Sequence, residues 1–140
     1  MIVEPLLIKG DGHSDTRGSV LYNNTFDASL IKRIYTIQNT STSFIRSWQG
    51  HKIEQRWFSA VMGAFSIRLI EIDNWNDPSK DLKPKTFIVT AETLDVLHIP
   101  PGYVSSIQSL ESNSKLIAMS DYLLGEIRDE YRYEADYFMN

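Results

Sequence analysis

Ile45-Arg-Ser-Trp-Gln-Gly-His-Lys-Ile-Glu-Gln-Arg-Trp-Phe-Ser-Ala-Val-Met-Gly63 sets His51, Arg46, Glu54 and Gln55 beside two tryptophans, between segments that read as strands. Gln49 and His51 are two residues apart, so on an extended strand both side chains leave the same face. These residues are expected to line one wall of a site. The remaining strands are then a scaffold that encloses that face.

Outward from this stretch the pattern repeats. Ile31 to Ile37 alternates, with Ile31, Arg33, Tyr35 and Ile37 on one face and Lys32, Ile34 and Thr36 on the other, as expected of a β-strand. Ala64 to Ile72 alternates Phe65, Ile67 and Leu69 against Ser66 and Arg68, after a hairpin turn expected at Met62-Gly63. Shorter strands are expected over Ile2–Ile8, Ser19–Tyr22, Thr86–Val89 and Val96–Ile99, and a hairpin joins Val104–Leu110 to Lys115–Ser120. Lys9 to Gly18 reads as a glycine-rich loop and Asp73 to Pro84 as a second loop. Tyr122 to Phe138 is acidic and tyrosine-rich, and reads as a short helix or an extended arm. Many short strands separated by Gly, Pro and Asn turns, with no βαβ alternation, give an all-β sandwich or barrel.

The chain of 140 residues reads as one domain, 1–140, large enough to bury a core. A net charge of −4 offers no basic face for nucleic acid. No cysteine is present, which removes disulfides, thiolate metal sites and thiol catalysis. The opening Met1-Ile-Val-Glu-Pro5 does not read as a secretory signal, and no apolar run is long enough to span a bilayer. A cytoplasmic protein without nucleic-acid or membrane partners is expected.

Asp15-Thr-Arg-Gly-Ser-Val20, Ile31-Lys-Arg-Ile-Tyr35, Arg46-Ser-Trp-Gln-Gly-His-Lys52, Glu54-Gln55, Ile99-Pro-Pro-Gly-Tyr103 and Ser120-Asp121-Tyr122 occur in that order. Together they resemble the small sugar-nucleotide cupins, which include the dTDP-4-dehydrorhamnose 3,5-epimerases and the dTDP-4-keto-6-deoxyhexose 3,4-ketoisomerases. The resemblance implies a cupin-type jelly-roll β-barrel, usually a homodimer, that binds a nucleoside-diphosphate sugar in its mouth. It also implies proton abstraction beside a keto group, which needs a base and a donor for the developing enolate.

The chain departs from that pattern at informative positions. Where the ketoisomerases carry Arg-Gly-x-His-x-His, it has Arg46-Ser-Trp-Gln49-Gly-His51, so the first histidine is a glutamine. The single histidine of the epimerases aligns with Gln49 too, and their catalytic tyrosine falls near Ile117. A ketoisomerase histidine after the Pro-x-x turn falls near Tyr103 to Ser105, where none occurs. Of the general cupin metal ligands only His51 and Glu54 remain, too few for a transition-metal site. No metal and no cofactor is expected.

What remains is a defined set of candidates. His51 is the acid–base residue, with an imidazole able to exchange a proton near neutral pH. Tyr35 is the second catalytic candidate, orienting the keto group or protonating an enolate. Arg46 suits a diphosphate bidentately. Gln49, Gln55, Arg33 and Tyr103 complete the substrate-binding set, and His13 and His98 have no assigned role. The expected ligand is a dTDP-linked 4-keto-6-deoxyhexose, and the expected reaction is 3,4-ketoisomerisation rather than 3,5-epimerisation. The alternative is a non-catalytic cupin that binds a nucleotide sugar or another carbohydrate.

Overall fold

A computed structural model describes residues 4–138, so the start of the expected Ile2–Ile8 strand lies outside the described residues. Among the described residues there are twelve β-strands and no α-helix. One five-stranded sheet runs, in spatial order, Leu6–Ile8 (β1), Val96–Ile99 (β9), Arg56–Met62 (β6), Lys115–Ser120 (β11) and Arg33–Ile37 (β4). The second runs Tyr131–Arg132 (β12), Ile45–His51 (β5), Tyr103–Ser109 (β10), Ala64–Glu71 (β7) and Lys85–Thr90 (β8). All the pairings are antiparallel, and the arrangement is the expected jelly roll.

Apolar alternation decides which side of each strand faces the interior. Phe58 and Ala60 of β6, Phe65, Ile67 and Leu69 of β7, and Leu116 and Ala118 of β11 meet in one buried cluster between the sheets. Removing that much apolar surface from water is the main stabilising term for the barrel. The intervening residues pack outward: Trp48, Ile70 and Val104 lie under Phe138 of the C-terminal arm, and Trp57 packs with Val96 and Met119.

Two expectations from the sequence change, and a third is narrowed. The turns after Met62 and after Leu110 are not hairpins, because β6 and β11 lie in one sheet while β7 and β10 lie in the other. Both turns cross between sheets and lock against one another. Gly63 has φ +68°, and a Cβ there would come within 2.1 Å of Ser114 Oγ, so only glycine fits. Residues 9–18 are not all loop, since Asp11–Asp15 (β2) pairs with Gly18–Tyr22 (β3) in a separate two-stranded sheet. β2, Asp-Gly-His-Ser-Asp, is mostly exposed and carries no apolar side chain, which hides it from a periodicity reading, whereas β3 matches the strand expected over Ser19–Tyr22. Of the two readings of the tail the extended arm is the one found, and β12 adds to the edge of β5. No helix of the described residues is long and apolar enough to cross a membrane.

Candidate active site

The site lies at the end of the barrel where β4, β5, β6 and β10 converge. On β5, Gln49 pairs with Ser105 and His51 with Tyr103 across the ladder to β10. Gly50 between them has its ideal Cβ position 2.1 Å from the Tyr103 carbonyl oxygen, so the close approach of these strands requires glycine. The register slips between Ser105 and Ile107, where Arg46 rather than Ser47 opposes Ile107. A bulge of this kind re-aims side chains. Arg46, an odd number of residues from Gln49, therefore joins Gln49, His51, Tyr35, Tyr103 and Arg56 around one cavity of about 40 Å³. That volume holds a water or two rather than a hexose.

His51 is buried and held from both sides. Its Nδ1 lies 2.9 Å from the backbone carbonyl of Asp129 and 3.0 Å from Glu54 Oε2. Both are acceptors, so Nδ1 carries the hydrogen. On the other side Arg56 Nη2, which can only donate, is 2.6 Å from Nε2. Hydrogen bonding therefore fixes one neutral tautomer, with the Nε2 lone pair as acceptor. Burial, and then the positive charge of Arg56, lower the His51 pKa below its usual 6.5, against the opposing pull of Glu54.

Arg56 is the residue that sequence reasoning missed. It begins β6 on the same inward parity as Phe58 and Ala60, a signal that was available in the alternation. Its guanidinium donates to His51 Nε2, to Glu54 Oε2 at 2.8 Å and to the Tyr35 hydroxyl. The Tyr35 oxygen accepts there and keeps its own O–H available. Asp129 was equally hidden, being 78 residues from His51 in sequence. Its carboxylate accepts from the backbone N–H groups of Lys52, Ile53 and Glu54 at 3.0, 2.8 and 2.8 Å. It thereby shapes the turn that presents Glu54 to His51.

The other candidates fall in different places. Gln49 donates to Glu130 of the arm while lining the cavity. Arg46 donates to Asn39 at 3.3 Å and lies over the Phe44 ring. Arg33 is half-buried, with its guanidinium over the Tyr35 ring and 4.0 Å from Glu54. Gln55 lies outside the cavity: it donates to Asp121 at 2.9 and 3.1 Å, and its carbonyl faces His98 Nε2 at 2.7 Å. His98 stacks on Trp57, and Arg68 lies over Trp48 on the outer face of its sheet. Ile117 packs beside the Trp57 cluster, not in the cavity.

His51, Glu54 and Asp129 bring ligand atoms within 4.8 Å of one another. The ligand atoms are largely occupied, since Asp129 accepts three backbone N–H groups and a guanidinium sits against both His51 and Glu54. A divalent cation would have to share this space with a fixed positive charge, so the residues do not fit a metal.

A wider cleft of about 530 Å³ opens beside the cavity and shares His51 and Arg56 with it. Its far wall is the arm, including Arg128, Asp129 and Glu130.

No protein-family model and no curated protein sequence matches the chain. Among solved structures, a 3,4-ketoisomerase from Helicobacter canadensis superposes with TM-score 0.72 at 21% identity, over 97% of this chain and 96% of that one. A variant of the 3,4-ketoisomerase QdtA from Thermoanaerobacterium thermosaccharolyticum, solved with TDP-4-keto-6-deoxyglucose, gives 0.70 at 21% over 98% and 93%. The RmlC epimerase of Mycobacterium tuberculosis gives 0.72 at 12% over 94% and 69%. The chain has the cupin-type jelly-roll fold that these sugar-nucleotide ketoisomerases and this epimerase share.

Proposed function

We propose that the protein is a sugar-nucleotide 3,4-ketoisomerase acting on a dTDP-linked 4-keto-6-deoxyhexose, with His51 as the acid–base residue. The observation that carries this reading is the fixed tautomer of His51. Its Nδ1–H is anchored on Asp129 and Glu54, and its Nε2 lone pair points to the group it shares with Tyr35. A base that removes a proton beside a ketone needs an unprotonated ring nitrogen facing the substrate and an anchored opposite nitrogen, and Nε2 can serve once Arg56 moves off it.

In this reading His51 takes the proton from C3, giving an enediolate across C3 and C4. The proton, exchanged with solvent while it is held on His51, returns to C4, the C3 hydroxyl proton passes to O4, and the ketone moves from C4 to C3. Arg56 and Tyr35 are the donors available to the enediolate oxygen, the role in which positioned hydrogen bonds contribute most. Arg56 must turn from Nε2 to the substrate oxygen for this to happen. Gln49, Arg46 and Tyr103 bind the ligand from the cavity side, and the functional unit is a homodimer. A 3,5-epimerase would need a base reaching C5 as well, and Gln49 and Ile117 supply none.

A second reading, a non-catalytic cupin that binds a nucleotide sugar, is favoured by the guanidinium that occupies the His51 lone pair. The two separate on product analysis. Incubation with dTDP-4-keto-6-deoxyglucose, followed by NMR, is expected to show the carbonyl moving to C3, and His51→Asn is expected to abolish it. Binding without any carbonyl migration would establish the non-catalytic reading.

A further inference from the structure

On the ladder between β5 and β10, His51 faces Tyr103 at one end and Ile45 faces Gln108 at the other. At that other end β4 closes at Ile37 and β10 at Ser109, and β11 begins at Lys115. Residues 38–41, Ser109 and residues 111–113 surround a cleft there of about 510 Å³. That size lies in the range of small-molecule sites. The reaction proposed above makes no use of it.

The lining is chemically uniform. Every lining side chain is an amide or a hydroxyl except Glu111, which makes no ion pair among the described residues. Amides and hydroxyls both donate and accept, so they match a ligand whose own groups do the same. A carboxylate with no cation beside it in the cleft repels anions.

One lining atom lacks a partner. Ser109 pairs with Phe65 across β10 and β7, and Phe65 belongs to the core between the sheets, so Ser109 points inward with it. The residue is 4% exposed, and its Oγ makes no hydrogen bond. Leaving a buried hydroxyl unpaired is unfavourable. The other buried polar groups at this end are satisfied. Ser114 Oγ donates to the Glu111 carbonyl at 2.9 Å and accepts from the Ala64 N–H at 3.1 Å. Asn39 donates to the Ile107 carbonyl at 3.1 Å and accepts from Arg46 Nε at 3.3 Å. Ser109 is the exception, and it lines the cleft.

We propose that this distal cleft binds a neutral polyol of monosaccharide size. Ser109 Oγ hydrogen-bonds one ligand hydroxyl, and the Glu111 carboxylate accepts from another, a charge-assisted bond of the stronger kind. The site is separate from the His51 cavity and does not depend on the reaction assigned to it.

Amide-resolved NMR of the whole protein titrated with D-glucose tests the site. Saturable shifts are expected at residues 38–41 and 109–113 and not at 49–56, with a Kd of about 1 mM, as befits so small a ligand. Glu111→Gln, at an exposed position, is expected to weaken binding about tenfold, the loss of a charge-assisted hydrogen bond. Ser109→Ala is expected to weaken it about fivefold. The same variant should melt at or above the wild-type temperature, because it removes an unpaired hydroxyl. A lower melting temperature for Ser109→Ala would show that the hydroxyl serves the fold, and would overturn the assignment. Shifts that never saturate, shifts centred on residues 49–56, or wild-type affinity in both variants would overturn it too. Calcium chloride moving the cleft amides where glucose does not would make this a cation site instead, against the proposal.

Discussion

Arg56 Nη2 lies 2.6 Å from His51 Nε2, so a permanent donor occupies the lone pair that a catalytic imidazole would use. Protonating His51 would set an N–H against an N–H at that distance. The contact thus keeps His51 neutral and couples its chemistry to wherever the guanidinium goes.

Replacing Arg56 by glutamine should therefore raise the His51 pKa, because a nearby positive charge is removed while Glu54 stays. The His51 ring resonances followed by NMR against pH will show this as a midpoint at higher pH than in the wild type. An unchanged or lower midpoint would contradict the coupling.

Burial lowers the pKa of both His51 and His98 below 6.5, the value they take when unfolded. Above that pH both are neutral in either state and neither affects stability. Below it the unfolded chain binds protons that the folded chain refuses, so stability falls as pH drops from about 6.5 toward the depressed values. Urea melts at stepped pH should show this decline, and His98→Gln should flatten part of it.

Asp129 joins the arm to the turn at residues 52–54 through three hydrogen bonds. Asp129→Ala should destabilise the protein by about 1.5–3 kcal/mol, the range for bonds to a charged acceptor. Hydrogen exchange should locate the change at the amides of Lys52, Ile53 and Glu54. Protection that is unaltered there would show that the carboxylate does not organise the turn.

Leu116 is fully buried on β11 between the sheets. Leu116→Ala should cost about 2–5 kcal/mol, through lost burial and the cavity left behind. A loss below 1 kcal/mol would mean that the core collapses around the gap.

The barrel was legible because Phe65, Ile67 and Leu69, or Tyr35 and Ile37, alternate with polar neighbours and so report one buried face directly. His51 was legible for the same reason. Two things were not. Strand partners are non-local, so the crossings after Met62 and Leu110 look like hairpins in sequence. Asp129 reaches the site across 78 residues, and a carboxylate in an acidic tail carries no periodic signal. Arg46 was expected at the site wall and lines the cavity, but the β5 bulge that re-aims it is not visible in the alternation. Gln55 shows the converse, since a polar residue inside the motif serves Asp121 and His98 instead of a ligand.

The most direct test of the central claim is deuterium incorporation when dTDP-4-keto-6-deoxyglucose is incubated with the protein in deuterated water. A single histidine serving C3 and C4 predicts deuterium at C3 of recovered substrate and at C4 of product, none at C5, and all of it lost in His51→Ala. Deuterium at C5, or exchange at C3 that survives in His51→Ala, would contradict His51 as the base.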